Sequence, residues 1–304
     1  MVTREEIVWC YRAILGRVPE SEEVITQKLQ LENFNQLRKI FLNSSEFKNQ
    51  NGFGFTNSKW VAVDILDCYT QWIDLSDNYV SKGCLNNSWE PSETDYFISK
   101  LEDQSIVFDI GANIGWFTLV AAKHIGDEGA IYAFEPRPET AKMLKRTLTH
   151  NKLDDRVHLW NYALLDKWEE LNLYSGFHTD NPGGSFVFKG EIPSSNQEAI
   201  KVKAAPLDEL LPNIFPDIIK IDVEGAEPLV FKGAKILFKV KKPPILSELH
   251  PSQLMKVSNA TSYQYIDQMK SYGYSCYLLE NGQPTQKIND YPAVKKDLLS
   301  VVFE

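Results

Sequence analysis

The chain is poor in cysteine, has no excess of positive charge and contains no long apolar run, and each shortage removes a class of function. Its four cysteines, Cys10, Cys68, Cys84 and Cys276, are scattered along the sequence. None has the paired spacing of a metal site, so free thiols in a reducing compartment are expected. Lys and Arg number 32 against 41 Asp and Glu, a formal net charge of −9. That balance gives no general attraction to nucleic acid or to an anionic membrane, although a local basic patch is compatible with it. No apolar stretch reaches the ~20 residues of a membrane-spanning helix. The first residues, Met1-Val-Thr-Arg-Glu-Glu6, lack a signal-peptide core, and a cytoplasmic location is expected.

What is present is a chain of 304 residues with a hydrophobic fraction of 43%, enough for one α/β domain plus a small extra module. Residues 1–50 read as that module, all helical. Thr3 and Glu6 make a capping-box pattern, and Ile7, Tyr11, Ile14 and Leu15 follow at helical spacing. Val24, Ile25 and Leu29 mark a second helix, and Leu37, Ile40, Phe41 and Leu42 a third. Three short helices make a marginal core alone, so docking a partner or a second subunit competes evenly with a packing role. Residues 51–88 form a polar, turn-rich linker and then a β-hairpin, with strands at 60–66 and 69–75. Residues 89–304 hold the main domain.

That domain is organised around Ile106-Val-Phe-Asp-Ile-Gly-Ala-Asn-Ile-Gly-Trp-Phe-Thr118. A buried strand, a turn of small residues and a helix start bring backbone N–H groups to one point, as nucleotide-like ligands require. A dinucleotide fingerprint needs glycine at the first, third and sixth positions. Here the third is Asn113 and the sixth is Trp116. No Gly-Lys-Ser/Thr follows, which excludes a P-loop. Asp109 on the strand suits a ligand with a positive centre, and S-adenosylmethionine (SAM) has one without any phosphate. A nucleotide-dependent oxidoreductase is correspondingly disfavoured.

Downstream, strands at 130–134, 157–161, 217–221 and 244–249 alternate with helical stretches, and two late strands lie at 275–279 and 298–303. The pattern predicts a mostly parallel sheet with right-handed crossovers and an antiparallel close. An insertion at about 166–212 shows two hairpin arms, 171–174 and 185–188, around residues 178–184, on the side where ligands bind. Glu135 ends the second strand, about twenty residues beyond the turn, where an acid accepts hydrogen bonds from ribose hydroxyls. Asn161 and the backbone amide of Ala163 are weaker candidates for the adenine edge. Asp222 ends the fourth strand and faces the same crevice. Glu224 and Glu227 read equally well as helix-start acids. Glu248 interrupts an apolar strand, and His250 follows it.

These motifs carry a resemblance. Residues 107–118, Phe134-Glu-Pro136, Pro206-Leu-Asp-Glu-Leu210, Ile219-Lys-Ile-Asp-Val-Glu-Gly-Ala-Glu227 and Glu248-Leu-His250 together resemble the FkbM family of SAM-dependent methyltransferases, over about residues 89–303. The resemblance implies a Rossmann-like class I methyltransferase sheet and methylation of hydroxyl oxygens, chiefly of sugars and natural products. It also implies SAM contacts at Asp109, Gly111, Asn113, Gly115 and Glu135, and a catalytic pocket near Asp222, Glu224, Glu248 and His250. Asp222 also borders the cofactor. Tyr11-Arg-Ala-Ile-Leu-Gly-Arg-Val-Pro19 and Leu37 to Phe47 are similar to the DUF4214 helical modules found beside glycan-modifying enzymes. A small-molecule or glycan hydroxyl is therefore the expected acceptor. Two routes to the acceptor proton remain open. One is a base, His250, Asp222 or Glu248; the other is a divalent cation held by Asp222, Glu248 and His250, which the chemistry permits but does not require. A non-catalytic SAM- or glycan-binding partner protein is the competing reading.

Overall fold

Short apolar runs with helical stretches between them fold here as sheets covered by helices. The computed structural model describes residues 2–42, 44–47, 60–74, 77, 79–174, 184–188, 199–288 and 298–304. Two compact units divide the chain, Met1–Ser88 and Trp89–Glu304. Among the described residues no helix is long and apolar enough to cross a membrane.

The first unit contains α1 (Arg4–Leu15), α2 (Glu22–Lys28), α3 (Phe34–Leu42), β1 (Trp60–Ile65), β2 (Tyr69–Asp74) and α4 (Val80–Leu85). The capping box forms: Glu6 N–H donates to Thr3 Oγ1 at 3.2 Å, and the Glu6 carboxylate accepts from Thr3 N–H at 2.7 Å. Ile7, Tyr11 and Ile14 of α1 are buried together with Leu37 and Phe41 of α3. The Tyr11 and Phe41 rings meet edge to face at 4.7 Å. β1 and β2 pair antiparallel from Trp60↔Asp74 to Ile65↔Tyr69. The polar stretch at 49–58 lies outside the described residues.

The second unit opens with α5 (Pro91–Ser99), then β3 (Ile106–Ile110), α6 (Trp116–His124), β4 (Ala130–Phe134), α7 (Pro138–His150) and β5 (Val157–Trp160). After an insertion come α8 (Leu207–Leu210), β10 (Ile218–Ile221), α9 (Glu227–Lys232), α10 (Lys235–Val240), β11 (Ile245–Leu249), α11 (Pro251–Ser258) and α12 (Ser262–Ser271). The chain closes with β12 (Cys276–Glu280), β13 (Gln283–Lys287) and β14 (Leu299–Phe303). Eight of these strands form one sheet in the order β13-β12-β14-β11-β10-β3-β4-β5. β5, β4, β3, β10 and β11 are parallel. β14 enters antiparallel between β11 and β12. This is a mostly parallel, Rossmann-like sheet with an antiparallel closing strand, as the resemblance implies. The expected late pair is present, but β13 extends it as a hairpin partner of β12. β13 is mostly exposed, so it carries no apolar alternation that would announce a strand.

One face of this sheet is apolar. Phe108, Ile110, Ile219, Ile221, Ile245 and Leu249 pack in one buried cluster with Val230 and Phe231 of α9, Phe238 of α10 and Tyr265 of α12. Since side chains alternate along a strand, the opposite face receives Asp109, Lys220 and Glu248. The register sets Lys220 beside Asp109 on β3 and Leu246 on β11.

The insertion builds a second sheet, from β6 (Ala163–Leu164), β7 (Glu169–Tyr174), β8 (Phe186–Phe188) and β9 (Ala199–Ala205), in the order β6-β9-β7-β8. The two expected arms do pair, Asn172↔Phe188 to Tyr174↔Phe186. β9 adds to β7 along its whole length. Residues 178–183 lie outside the described residues. Leu165, Leu171, Leu173, Val187 and Val202 give this sheet its own buried cluster.

Asp208, from the Pro206–Leu210 motif, turns out to hold a helix start. Its carboxylate accepts from Ile236 N–H at 2.7 Å and Leu237 N–H at 3.0 Å. Both are N–H groups that the first turn of α10 leaves without helical partners. Asp208→Ala is expected to cost about 1–2 kcal/mol and to lower the melting temperature by about 2–8 °C. An unchanged melt in differential scanning calorimetry would refute this role.

Candidate active site

Two loops touch where β3 and β10 end. Gly111 has φ +86, a left-handed value. A Cβ built there would stand 1.9 Å from the Asp222 carbonyl oxygen. The adjoining hydrogen bonds, Gly111 N–H to Phe134 O at 3.0 Å and Asp222 N–H to Ile110 O at 2.9 Å, hold the strand ends in register. The second loop has its own close approach: at Gly225, φ +97, a Cβ would meet the Gln253 backbone at 2.4 Å. Glu227 is fully enclosed, and its Oε1 accepts from Val223 N–H and Gly225 N–H at 3.2 and 3.3 Å. It clamps the loop that presents Asp222, and its burial pushes the carboxyl up to about 7.

Glu135 is buried at the end of β4. Its Oε2 accepts from Asn113 N–H at 2.9 Å and its Oε1 from Arg137 N–H at 2.8 Å. Each carboxylate oxygen keeps a second lone pair for a further donor. Burial raises the carboxyl to about 7, against the lowering effect of those two N–H groups. Asn113 sits at φ +50, which aims its N–H at Glu135. Asp109 is buried beneath the turn and accepts from Thr118 Oγ1. Burial raises it to about 6, with Thr118 and Lys220 opposing. Gly115 is the N-cap of α6. Asn161 donates through Nδ2 to the Glu135 and Pro136 carbonyls at 2.7 and 3.0 Å, which ties down the backbone that presents Glu135. Ala163 lies in β6, opposite Ala204.

Beside the turn the structure gathers charge. Carboxylate oxygens of Glu90, Asp222 and Glu248 all lie within 4.8 Å of one another. Lys220 Nζ is 3.4 Å from Glu90 Oε2 and 3.9 Å from Asp222 Oδ2. It also lies 4.9 Å from the centre of the Phe117 ring. Burial raises the carboxyls of Glu90 and Glu248, and repulsion from Asp222 adds to both. Glu224 is raised by burial and by Asp222 as well. Burial alone would lower the Lys220 ammonium, but the carboxylates of Glu90, Asp222 and Glu248 hold it above its ordinary value.

Asp222 and Glu248, both expected, are therefore brought together, whereas His250 is not part of the three-oxygen group. It is the N-cap residue of α11, with Nδ1 3.1 Å from Ser252 Oγ. Glu90 and Lys220 were not among the candidates. A lysine inside a strand otherwise made of isoleucine was the available signal for Lys220. Glu90 gave none, because an acid ahead of Pro91 reads as an ordinary helix start.

Residues 109–276 match the family model of the Methyltransferase FkbM domain. Methyltransferase 1 of Beauveria bassiana is 28% identical over 158 residues, which cover 45% of this chain and 61% of that protein. The 31-O-demethyl-FK506 methyltransferase FkbM of Streptomyces tacrolimicus is 24% identical over 180 residues, 50% of this chain and 67% of that one. The hexuronic acid methyltransferase AglP of Haloferax volcanii is 25% identical over 142 residues, 45% of this chain and 52% of that one. The chain spans about three fifths of the length of the first curated relatives it matches.

Proposed function

This chain belongs to the FkbM methyltransferase family, and on that premise we propose that it transfers a methyl group from SAM to a hydroxyl oxygen, with sugars or glycans as the acceptor class. The observation that carries the reading is the adjacency of two features. Gly111 touches the backbone of Asp222, so the turn proposed to hold the cofactor and the acid cluster border one crevice. The sugar class is supported by the relative named as a hexuronic acid methyltransferase, and oxygen as the accepting atom by the one named for a 31-O-demethyl substrate.

The residues suit the cofactor. Gly111 lets the turn close directly onto the Asp222 backbone, and Glu135 is a buried carboxylate with lone pairs left for two ribose hydroxyls. SAM, when bound, supplies a methyl group made electrophilic by the sulfonium. Asp109, buried under the turn, supplies negative charge near that centre. We assign Asp222, Glu248 and His250 to the acceptor. A carboxylate oxygen of Asp222 or Glu248 would accept the hydroxyl hydrogen bond, and a carboxylate or the His250 imidazole would take the proton released when the sulfonium–methyl bond is exchanged for the C–O bond. Alignment of the oxygen on the methyl group is the larger part of the task. The methyl transfer is assigned to residues 89–304.

Isothermal titration with SAM followed by a labelled-methyl screen against methyl glycosides and nucleotide sugars tests the reading. Glu248→Gln is expected to lower kcat by about 100-fold or more while leaving SAM affinity nearly unchanged. Absence of SAM binding would sink the proposal. Binding without turnover on any hydroxyl acceptor would favour a cofactor-binding partner protein, and full activity in His250→Ala would remove the histidine as base.

A further inference from the structure

We propose that Lys220 is the resident cation of the acid cluster. Its ammonium takes the place among Glu90, Asp222 and Glu248 that a divalent ion would otherwise fill, and it positions the Glu90 and Asp222 carboxylates at the crevice. The consequence for catalysis rests on the methyl-transfer reading; the charge arrangement does not.

Three carboxylates whose oxygens lie within 4.8 Å of one another need protons or a cation between them. The cation is already built in. Lys220 leaves the middle of β10, and its side chain is only 3% exposed. Among the described residues its Nζ pairs with Glu90 at 3.4 Å and Asp222 at 3.9 Å, and neither Nζ nor Glu90 Oε2 has a hydrogen bond of good geometry. The group is held by charge, with donor and acceptor capacity unspent. The Phe117 ring under Nζ gives the ammonium an apolar but cation-tolerant wall. A divalent ion on the same oxygens would stand within a few ångström of the ammonium, where like-charge repulsion in a buried site is strong.

Exposure decides the division of labour. The side chains of Lys220, Glu90 and Asp222 are 3%, 16% and 31% exposed. Lys220 therefore acts through the two acids and does not itself face the acceptor. Glu90 comes from outside the segment 109–276 that matches the family, and its backbone is left-handed, φ +43. A non-glycine residue holds that conformation only where the surroundings impose it. They do so here. Trp116 Nε1 donates to Thr94 Oγ1 at 2.9 Å, and Thr94 Oγ1 donates to Trp89 O at 2.8 Å. Gly282 N–H donates to Ser92 Oγ at 2.9 Å, and Ser300 Oγ donates to the Glu93 carboxylate. Trp116, the residue that spoils a dinucleotide turn, thus fastens α5 so that Glu90 reaches the cluster.

The test is titration of the full chain with MnCl2. The wild type is expected to bind no Mn²⁺ at this site. Lys220→Met should gain one site, with Kd about 10⁻⁴–10⁻³ M, the weak end of oxygen-donor sites. The double variant Lys220→Met/Glu90→Gln should lose that site, and Lys220→Arg, which keeps the charge, should not acquire it. No gain in a folded Lys220→Met would overturn the proposal, as would wild-type Mn²⁺ binding that Glu90→Gln removes. If Lys220→Met fails to fold, that second comparison still decides. SAM titration runs separately: failure of the wild type to bind SAM would sink the methyl-transfer reading and leave the Mn²⁺ result standing.

Discussion

Glu135→Gln is expected to weaken SAM binding by about tenfold or more, and to remove the part of its pH dependence centred near about 7. The wild-type carboxylate accepts one backbone N–H on each oxygen. A glutamine offers one acceptor and one NH2, so either Asn113 N–H or Arg137 N–H would face another donor. A buried donor left without a partner costs about 1–3 kcal/mol, and 1.4 kcal/mol is already tenfold. The pH dependence has a definite sign. Burial raises the carboxyl from 4.5 to about 7. Between those values the folded protein keeps a proton that the unfolded chain has released, so this group makes the free protein less stable as pH rises through that window. Ribose hydroxyls donate best to the ionised carboxylate. Wild-type SAM affinity should therefore increase as pH passes through about 7. Calorimetric titrations from about pH 6 to 8, bracketing that transition, check this in both proteins. A flat wild-type profile would remove Glu135 from its assigned role.

Gly111→Ala should abolish measurable SAM binding and lower the melting temperature by about 10 °C. Two costs combine. Holding alanine at φ +86 costs about 1–3 kcal/mol. The added carbon would also lie 1.9 Å from the Asp222 carbonyl oxygen. That atom is main chain, and both neighbouring strand ends are hydrogen-bonded in place, so relief requires the loops to separate, with overpacking costs of about 1–3 kcal/mol more. At about 2–4 °C per kcal/mol for a domain of this size, the sum gives the stated shift. Because the same separation would move Asp222 away from the turn, cofactor binding and stability should fall together. A variant that melts like the wild type and binds SAM normally would show that the two loops do not need this contact.

The amino-acid sequence by itself determined the large sheet. β3, β4, β10 and β11 are contiguous apolar runs, as strands buried on both faces must be, and each ends in or contains an acid that burial makes conspicuous: Asp109, Glu135, Asp222 and Glu248. It determined the nature of the turn too, since Asn113 and Trp116 stand where a dinucleotide site needs glycine. Local pattern could not reach β13, which is polar and mostly exposed at the sheet edge, or β6 and β9, whose pairing with each other depends on residues about forty apart. Tertiary structure alone decided the charge cluster. Glu90 and Glu248 are separated by most of the domain in sequence, yet the fastening of α5 and the sheet register put their oxygens within 4.8 Å of each other. The physical reason is that strand period and apolar content are written residue by residue. The neighbours of a buried charge are set by which distant strands pair and in what register. Lys220 shows both sides: its place in β10 could be read from its flanking isoleucines, but its partners could not.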